Sequence, residues 1–258
     1  RRNPDGGFWY YVYPDWSYLD GIFSLLPYMA AQPVVDYREM ERQVSLLAEH
    51  CAQTNTSLLV HGYDWSRKAV WADKKTGGSP YVWSRSLGWF LAGLVQTWDR
   101  LSCGTPKEPA AARSVCRLLR HVTTRVSADL LHYSDPATGA WWQLVTLPGQ
   151  PGNYLESSGT ALFIFSLLKA LRTGLLCHDD PHSDYRAAAL KAYHYTLDSF
   201  VTTNVADDTI GFSKTVAVCS LNSTATYQYY TKQPLLPNSL LGESAFILAS
   251  LEVELLGQ

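Results

Sequence analysis

The chain has 258 residues and a formal net charge of −2, and it contains no run of basic residues. This length is enough to bury the core of one large domain, so we expect a single domain over residues 1–258. The near-neutral charge argues against nucleic acid as a partner and against a membrane surface recognised by charge. No apolar stretch approaches the ~18–20 residues of a membrane-spanning helix, so no membrane partner is expected.

Five cysteines are scattered along the chain, and none forms a CxxC pair or a metal-like group with histidine. A structural zinc site is therefore not expected, and the odd count leaves at least one thiol unpaired. Glycosylation sequons at Asn55 and Asn222 favour a secreted protein. The first residue is Arg1 and no signal peptide follows it, which predicts a mature or truncated product.

Aromatic residues crowd the first sixteen positions, which we predict to form a loop or hairpin. Apolar residues then recur at helical spacing, and this pattern predicts seven helices between polar or Gly- and Pro-rich segments. We expect Ser17 to cap the first helix. The predicted helices span residues 17–31, 36–54, 81–101, 109–126, 156–173, 183–202 and 241–256, and strands are expected at 215–219 and 227–231.

The segment from His61 to Trp89 combines a histidine, aspartates, tryptophans and arginines within a short span. Its first part is too polar and too rich in Gly, Pro and Lys to be core, and its second part enters the helix predicted at 81–101. Tryptophan faces can stack on sugar rings, and a carboxylate can exchange protons with a substrate. The segment therefore indicates a carbohydrate site at the mouth of a helix.

Two short patterns recur along the chain. Residues 59–64 (LVHGYD) resemble residues 131–135 (LHYSD), and residues 138–141 (TGAW) resemble residues 5–9 (DGGFW). Helix pairs that alternate with aromatic hairpins predict a toroid or solenoid of helices, whose loops would gather around a shared cleft. Seven helices are few for a closed double ring, which predicts an absent N-terminal portion. The expected cleft residues are Trp9, Asp20, His61, Trp71, Asp73, Trp141 and Tyr154.

Six phrases, in this order, carry a resemblance to a known family. They are RNPDGGFW at 2–9, YLDG at 18–21, HGYD at 61–64 with WAD at 71–73, SPYVWSRSLGW at 79–89, NYLESSGTA at 153–161 and LGESAF at 241–246. With these phrases the chain resembles glycoside hydrolase family 105, the unsaturated rhamnogalacturonyl hydrolases, in a fungal-like form. The resemblance covers nearly the whole chain.

The resemblance implies an all-α (α/α)6 barrel of twelve helices, here without its first few helices, and a single catalytic domain. It implies removal of the unsaturated uronic acid that a polysaccharide lyase leaves at a chain end, with no metal or cofactor. The chain departs from the family pattern at Tyr10, where His is usual, and at 16–18 (WSY), where Gln-Met-Trp is usual. These departures bear on sugar specificity rather than on the class of reaction.

The implied substrate has a double bond between carbons four and five of its terminal uronate, so its ring oxygen is part of an enol ether. Cleavage can begin by protonation of carbon four and continue by addition of water at carbon five. The resulting hemiketal opens and the glycosidic bond breaks. This route needs one acid/base group and a polar partner, unlike the two-carboxylate displacement at the anomeric carbon.

By resemblance, Asp73 is the acid/base and Asp20 is its partner. Because Asp73 follows Trp71 and Ala72, we expect partial desolvation to raise its pKa. In the alternative interpretation, Asp73 is a turn carboxylate on the surface, and Asp20 is a first-turn carboxylate favoured by the helix dipole. We expect Asp73→Asn to lose activity while still binding oligosaccharide.

The remaining candidate residues would bind substrate. His61 is expected to bind a sugar hydroxyl or carboxylate, and Arg85 either reads the uronate carboxylate or pairs with a helix carboxylate. Stacking is expected from Trp71 and Trp83, although a tryptophan is more often core. The next hairpin would add Trp141, Gln143 and Tyr154 to the cleft. Asp64 and Glu156 are expected to be structural. The polar set His178, Asp179, Asp180 and His182 is expected to be a solvated loop rather than a metal site.

These observations predict a secreted hydrolase that acts on pectin-derived rhamnogalacturonan oligosaccharides. One alternative keeps the chemistry but places it on unsaturated glucuronyl ends of ulvan or glycosaminoglycans. A second alternative is a non-catalytic sugar-binding toroid, and a third is an epimerase with paired histidines, His61 and His132. The expected partners are the oligosaccharide and a separate N-terminal fragment that completes the barrel.

Overall fold

The computed structural model describes residues 1–177, 184–204 and 208–257. Helices dominate these residues, and short 3-10 turns extend three of them at Leu19–Gly21, Ala110–Ala112 and Leu255–Gly257. The α-helices are α1 (Ile22–Ala30), α2 (Tyr37–His50), α3 (Ser84–Arg100), α4 (Arg113–His132), α5 (Ser157–Arg172), α6 (Tyr185–Ser199), α7 (Tyr227–Thr231) and α8 (Leu240–Glu254).

Three two-stranded antiparallel ribbons connect the helices. The strands are β1 (Trp16–Tyr18), β2 (Gly62–Asp64), β3 (Val201–Asn204), β4 (Thr209–Phe212), β5 (Thr215–Val216) and β6 (Leu235–Leu236), and they pair as β1 with β2, β3 with β4 and β5 with β6. The first ribbon positions the site described below. Its glycine, Gly62, lies so close to β1 that an added Cβ would be 2.6 Å from the Ser17 carbonyl oxygen.

The helices form two layers. In the inner layer, α1 packs on α3, α3 on α5 and α5 on α8, whereas α2, α4 and α6 lie outside and pack on this row or on each other. The inner helices are the most apolar, and α3 and α5 are buried along most of their length. Within the described residues α1 and α8 have no comparable contact, so the inner row stays open between them.

Most of the predicted helices are confirmed, with ends shifted by a few residues. The prediction at 36–54 corresponds to α2, which Asp36 caps by accepting a hydrogen bond from the Glu39 amide at 3.0 Å. The prediction at 156–173 corresponds to α5, which Glu156 caps through the Gly159 amide at 2.7 Å. Helix α4 runs six residues beyond the predicted end at 126, to His132.

Two local predictions are wrong. Ser17 does not cap a helix; it lies in β1, and its hydroxyl donates to the Phe8 carbonyl at 2.7 Å. Residues 227–231 form the helix α7 rather than a strand, because the Thr226 hydroxyl accepts a hydrogen bond from the Tyr229 amide at 3.2 Å and starts a helical turn. The strand prediction rested on the aromatic residues of this segment, which favour β-structure.

Cys103 and Cys116 form a disulfide that joins the end of α3 to α4, and Cys51, Cys177 and Cys219 are free thiols. The disulfide thereby fixes the loop that connects α3 to α4. Among the helices that the structure describes, none is long and apolar enough to cross a membrane.

Candidate active site

The starts of the inner helices α1, α3 and α8 meet at one end of the protein, where they line a cavity of about 360 Å³. Asp20 lies just before α1, Trp83 and Arg85 lie at the start of α3, and Leu241 lies at the start of α8. The other lining residues come from the N-terminal aromatic segment, from the loop after β5 and from single positions: Tyr10, Tyr11, Tyr13, Tyr18, Phe23, His61, Trp89, Val218, Cys219 and Ser220.

Asp20 and His61 form the polar centre of this cavity, and the buried Ser86 contacts Asp20. The β1–β2 ribbon brings the first two together, since the Leu19 amide donates to the His61 carbonyl at 3.1 Å. The Nε2 atom of His61 then lies 3.5 Å from Oδ2 of Asp20, and the Ser86 hydroxyl donates a short hydrogen bond to the same Oδ2. At 3.5 Å the histidine contact is electrostatic rather than an ordinary hydrogen bond.

Competing effects set the pKa of Asp20. Burial alone would raise the pKa, because it disfavours the charged carboxylate. The polar contact with His61, the electrostatic attraction of its Nε2 side and the hydrogen bond from Ser86 outweigh burial, so the pKa of Asp20 is lowered overall. The side chain is only 14% exposed, and that exposed part faces the cavity that it lines.

The ring of His61 is also held at its second nitrogen and by neighbouring aromatic rings. Its Nδ1 atom lies 2.8 Å from the Tyr230 hydroxyl. The rings of Tyr18 and Trp83 lie 5.0 Å and 4.7 Å from it, centre to centre. His61 is 1% exposed, so its position is fixed by packing as well as by polar contacts.

The rim of the cavity is aromatic. Tyr10 and Tyr18 stack face to face with centroids 4.3 Å apart and planes at 15°, and Trp89 packs on Phe23 at 4.4 Å. Tyr10 and Tyr18 are two of the positions where the sequence departs from the family pattern, and the structure makes them one stacked pair beside Asp20. Burial raises the pKa of both hydroxyls, so both stay protonated.

Arg85 lines the cavity, but its guanidinium already forms three hydrogen bonds with other groups of the protein. Its guanidinium donates to the carbonyls of Val216 at 2.6 Å and Ala217 at 2.7 Å and to the Ser158 hydroxyl at 3.1 Å. It lies 3.8 Å from the buried carboxylate of Glu156. Of the two roles expected for Arg85, the structure shows the pairing with a helix carboxylate.

Asp73 lies away from this cavity, on the surface turn that follows Trp71. Its Oδ1 atom accepts hydrogen bonds from the amides of Lys75 and Thr76, each at 2.8 Å. These hydrogen bonds lower the pKa of Asp73, so the expectation of a pKa raised by desolvation is wrong. The flanking Trp71 and Ala72 are buried, but the carboxylate points outward.

The same turn occurs a second time, where no catalytic role was expected. In both copies the sequence is Asp-x-x-Thr-Gly, at Asp73–Gly77 and at Asp135–Gly139. Each aspartate accepts a hydrogen bond from the threonine amide, and each glycine has a positive φ and donates to the aspartate carbonyl. This repetition supports a structural role for Asp73.

A second and larger cavity, of about 650 Å³, surrounds this turn and includes Trp71 and Asp73. None of the residues that the structure describes lines both cavities. We place the candidate site in the smaller cavity, because buried polar groups face each other there beside aromatic side chains. The Trp71 indole donates to the Leu221 carbonyl at 2.7 Å, so this residue is a structural link rather than a free stacking surface.

The segment between α4 and α5, which holds Trp141, Gln143 and Tyr154, packs behind the site. Trp141 is fully buried in the core against Phe163, and its indole donates to the Leu130 carbonyl at 2.8 Å, so it does not line the cavity. Gln143 accepts from the Trp83 indole at 3.0 Å. Tyr154 also lies outside the cavity lining, and in the described part of the chain its hydroxyl has no hydrogen-bond partner.

Within the described residues, one group of side chains has metal-like spacing, Cys103, Glu108 and Cys116, and its two thiols are joined in the disulfide. The polar set at 178–182 lies outside the described residues. His132 ends α4 and does not line the cavity, so the histidine pair that an epimerase would need is not formed with His61.

Sequence reasoning did not select several residues of the site. Tyr18, Phe23, Trp89 and Ser220 line the cavity, and the buried Ser86 and Tyr230 contact Asp20 and His61. Ser86 and Trp89 lie in a phrase that carried the resemblance, and their positions about one and two helical turns after Trp83 were an available signal. Tyr230 had no such signal, because it contacts His61 from 169 residues away.

Comparisons with known proteins identify the family of this chain. The sequence model of Glycosyl Hydrolase Family 88 matches residues 1–256. Protein Atu3128 of Agrobacterium fabrum is 30% identical over 210 residues, which cover 78% of this chain and 84% of that protein. The 24.9 kDa protein in the picA locus of Rhizobium radiobacter matches equally well.

Solved structures show the same fold. A family 105 glycoside hydrolase from C. acetobutylicum superposes with a TM-score of 0.87 at 26% identity, over 98% of this chain and 69% of that chain. The unsaturated glucuronyl hydrolase of Bacillus sp. GL1 superposes with a TM-score of 0.63 at 15% identity, over 93% of this chain and 59% of its own. At 15% identity, the match to the glucuronyl hydrolase shows a shared fold and nothing further. The architecture is that of the (α/α)6 barrel, and the chain belongs to Glycosyl Hydrolase Family 88, a family of glycosidases.

Proposed function

We propose that this protein removes the terminal 4,5-unsaturated uronic acid from lyase-generated rhamnogalacturonan oligosaccharides, with Asp20 as the acid/base. The observation that carries the proposal is the position of Asp20 in a cavity with aromatic walls, next to His61 and Ser86. A single carboxylate with polar neighbours suits hydration of a double bond, whereas displacement at the anomeric carbon needs two opposed carboxylates.

In this proposal the substrate changes the state of Asp20. The free carboxylate has a lowered pKa and is ionised at neutral pH. A bound uronate adds a second negative charge close by and excludes water, and both effects favour the protonated acid. Asp20 then gives its proton to carbon four of the enol ether, and the positive charge that develops at carbon five is shared with the ring oxygen.

The second half of the reaction uses the same group as a base. The Asp20 carboxylate takes a proton from water as the water oxygen bonds to carbon five, which forms a hemiketal. Opening of the hemiketal breaks the ring, and the glycosidic bond then cleaves to give a keto acid and the free alcohol of the next sugar. One water is consumed, and Asp20 ends in its starting protonation state.

The charges around the cavity favour a substrate with a single negative group. Arg85 is the one Lys or Arg side chain among the described lining residues, and Val216, Ala217, Ser158 and Glu156 already engage it. A sulfated sugar would bring additional negative charge without a free cation to receive it. This supports rhamnogalacturonan ends over sulfated glycosaminoglycan or ulvan ends.

Neutral donors are better placed to hold the sugar. The Tyr18 hydroxyl is buried at the cavity beside Ser220, yet it makes no hydrogen bond of ordinary geometry within the described residues. A buried donor without a partner costs free energy, and a sugar oxygen would supply the partner. The stacked Tyr10–Tyr18 pair adds an apolar face beside it.

The test is loss of the ultraviolet absorbance of the conjugated double bond when the protein is mixed with lyase-digested polysaccharides. We expect the signal to fall on rhamnogalacturonan ends and to persist on sulfated glycosaminoglycan and ulvan ends. A faster fall on sulfated ends would contradict the substrate, and a constant signal on all three would contradict the activity and favour a sugar-binding protein.

We also propose that the protein works outside the reducing cytoplasm. The disulfide between Cys103 and Cys116 supports this location, because such bonds persist in oxidising compartments. The side chains of Asn55 and Asn222, the two sequon asparagines, are exposed. Mass measurement of protein from its native source, before and after glycosidase treatment and thiol alkylation, checks both features.

A further inference from the structure

Tyr230 reaches the candidate site from a distant part of the chain. It lies on α7, which Thr226 caps, and its backbone carbonyl accepts a hydrogen bond from the Gln143 side chain at 3.1 Å. Its ring is fully buried beside Trp83, and its hydroxyl lies 2.8 Å from Nδ1 of His61. The described residues offer this hydroxyl no other hydrogen-bond partner.

Two features of the surroundings decide which atom carries the proton in the Tyr230–His61 hydrogen bond. If His61 donated from Nδ1, the phenolic hydrogen of Tyr230 would be buried without an acceptor, which is unfavourable. In the same arrangement the lone pair of Nε2 would face the Oδ2 atom of Asp20, and two acceptors would meet at 3.5 Å. Both problems disappear when Tyr230 donates and Nε2 carries the hydrogen.

We propose that Tyr230 is a positioning residue that fixes the tautomer of His61, with its proton on Nε2 and directed at Asp20. Burial raises the pKa of Tyr230 well above its ordinary value, so the hydroxyl keeps its hydrogen at any working pH. The pairing deepens the proposed function and rests on it for its catalytic meaning, but the tautomer itself is a property of the free protein.

The tautomer matters because it decides where the acid proton of Asp20 can sit. His61 and Ser86 both point to Oδ2, and no described side chain hydrogen-bonds to Oδ1. With hydrogen on Nε2, the proton of the acid resides on Oδ1, the oxygen left for the substrate. With the opposite tautomer, Nε2 would accept that proton and hold it away from carbon four. Tyr230 therefore keeps the acid available.

The surroundings of the His61 ring add few competing charges. Asp20 faces Nε2, and Ser86 also donates to the backbone carbonyl of His61 at 3.2 Å. The other titratable or charged groups around the ring are Tyr18 at its edge, Tyr230 at Nδ1, Cys219 next to Tyr230, and Arg85 with Glu156 behind Trp83. Burial raises the pKa of Cys219 to about 12, so this thiol is neutral.

The test compares Tyr230→Phe with Tyr227→Phe in protein labelled with 15N-histidine. Tyr227 lies on the same short helix, and its hydroxyl donates to the Pro151 carbonyl at 3.0 Å, so the control removes one phenol hydrogen bond without touching His61. Nitrogen chemical shifts report which ring nitrogen carries hydrogen, and the His61 signals are assigned by their loss in His61→Asn.

We expect the wild type and Tyr227→Phe to show hydrogen on Nε2 of His61, and Tyr230→Phe to show a mixture of tautomers. Because general acid catalysis contributes about 10²–10⁴-fold, we expect kcat/KM of Tyr230→Phe to fall about tenfold or more through kcat, with KM little changed. A wild type with hydrogen on Nδ1, or a variant with an unchanged tautomer, would overturn the proposal. A wild type inactive on every substrate, with the tautomer as expected, would instead count against the proposed function alone.

Discussion

Arg85 and Glu156 form hydrogen bonds with the two backbone polar groups of the same residue, Val216. The guanidinium of Arg85 donates to the Val216 carbonyl at 2.6 Å, and Oε1 of Glu156 accepts from the Val216 amide at 3.0 Å. The two side chains come from the starts of α3 and α5, and both are buried. Together they anchor β5, and through it the loop that lines the cavity at Val218–Ser220, to the inner helices.

Glu156→Gln tests this anchor. Glutamine keeps the size of the side chain but leaves the Arg85 charge buried without its carboxylate, which should lower the free energy of unfolding by about 3–5 kcal/mol. Asp99→Asn is the control, because Asp99 is half exposed in its pair with Lys169 and should cost less than about 1 kcal/mol. Equal denaturant midpoints for the two variants would show that the buried pair is not a structural anchor.

Ser86→Ala should change the pH dependence of catalysis. The Ser86 hydroxyl stabilises the charged form of Asp20, so its removal should raise the pKa of Asp20. Because the acid must be protonated, the limb on which kcat/KM falls with rising pH should move to higher pH. Ser166→Ala, whose hydroxyl donates only within α5, should leave the profile in place. A shift toward lower pH would contradict the assigned role of Asp20.

Asp129 should make stability depend on acid. Burial tends to raise the pKa of Asp129, but hydrogen bonds from the Ser57 amide and the Thr56 hydroxyl outweigh it and lower the pKa. A pKa lower in the folded state means that the stabilisation is present above the unfolded value of about 3.9 and is lost as pH falls through the folded value. Asp129→Asn should therefore be less stable at neutral pH and should lose less stability on acidification. Parallel pH–stability curves for both proteins would contradict this.

The layered helical fold was predictable because apolar residues repeat at helical spacing over two or more helical turns in the helices that form the layers. The failures are local. Ser17 has the side chain of a helix cap, but pairing of β1 with β2 governs its conformation. The segment at 227–231 has β-favouring residues, but the Thr226 cap and the contacts of Tyr230 make it helical. In both places a tertiary contact overrides local preference.

Residues of the candidate site were predictable only where they lie in the short sequence motifs that carry the family resemblance. Asp20, His61 and Arg85 were identified, and the β1–β2 ribbon explains why two of them meet. Asp73 shows the limit, since its neighbours Trp71 and Ala72 are buried while its carboxylate caps a surface turn. Sequence neighbours do not give the direction of a side chain in a loop. The Ser86 contact with Asp20 and the Tyr230 contact with His61 join residues 66 and 169 positions apart.

The most direct test of the account is a comparison of Asp20→Asn with Asp73→Asn on unsaturated rhamnogalacturonan ends, measured as loss of ultraviolet absorbance. The two substitutions are chemically identical, and each removes one ionisable carboxylate. We expect Asp20→Asn to lose at least about 10²-fold in kcat/KM, because it removes the acid/base, and Asp73→Asn to stay within a few-fold of wild type. The reverse result, an inactive Asp73→Asn beside an active Asp20→Asn, would contradict the assignment of the site.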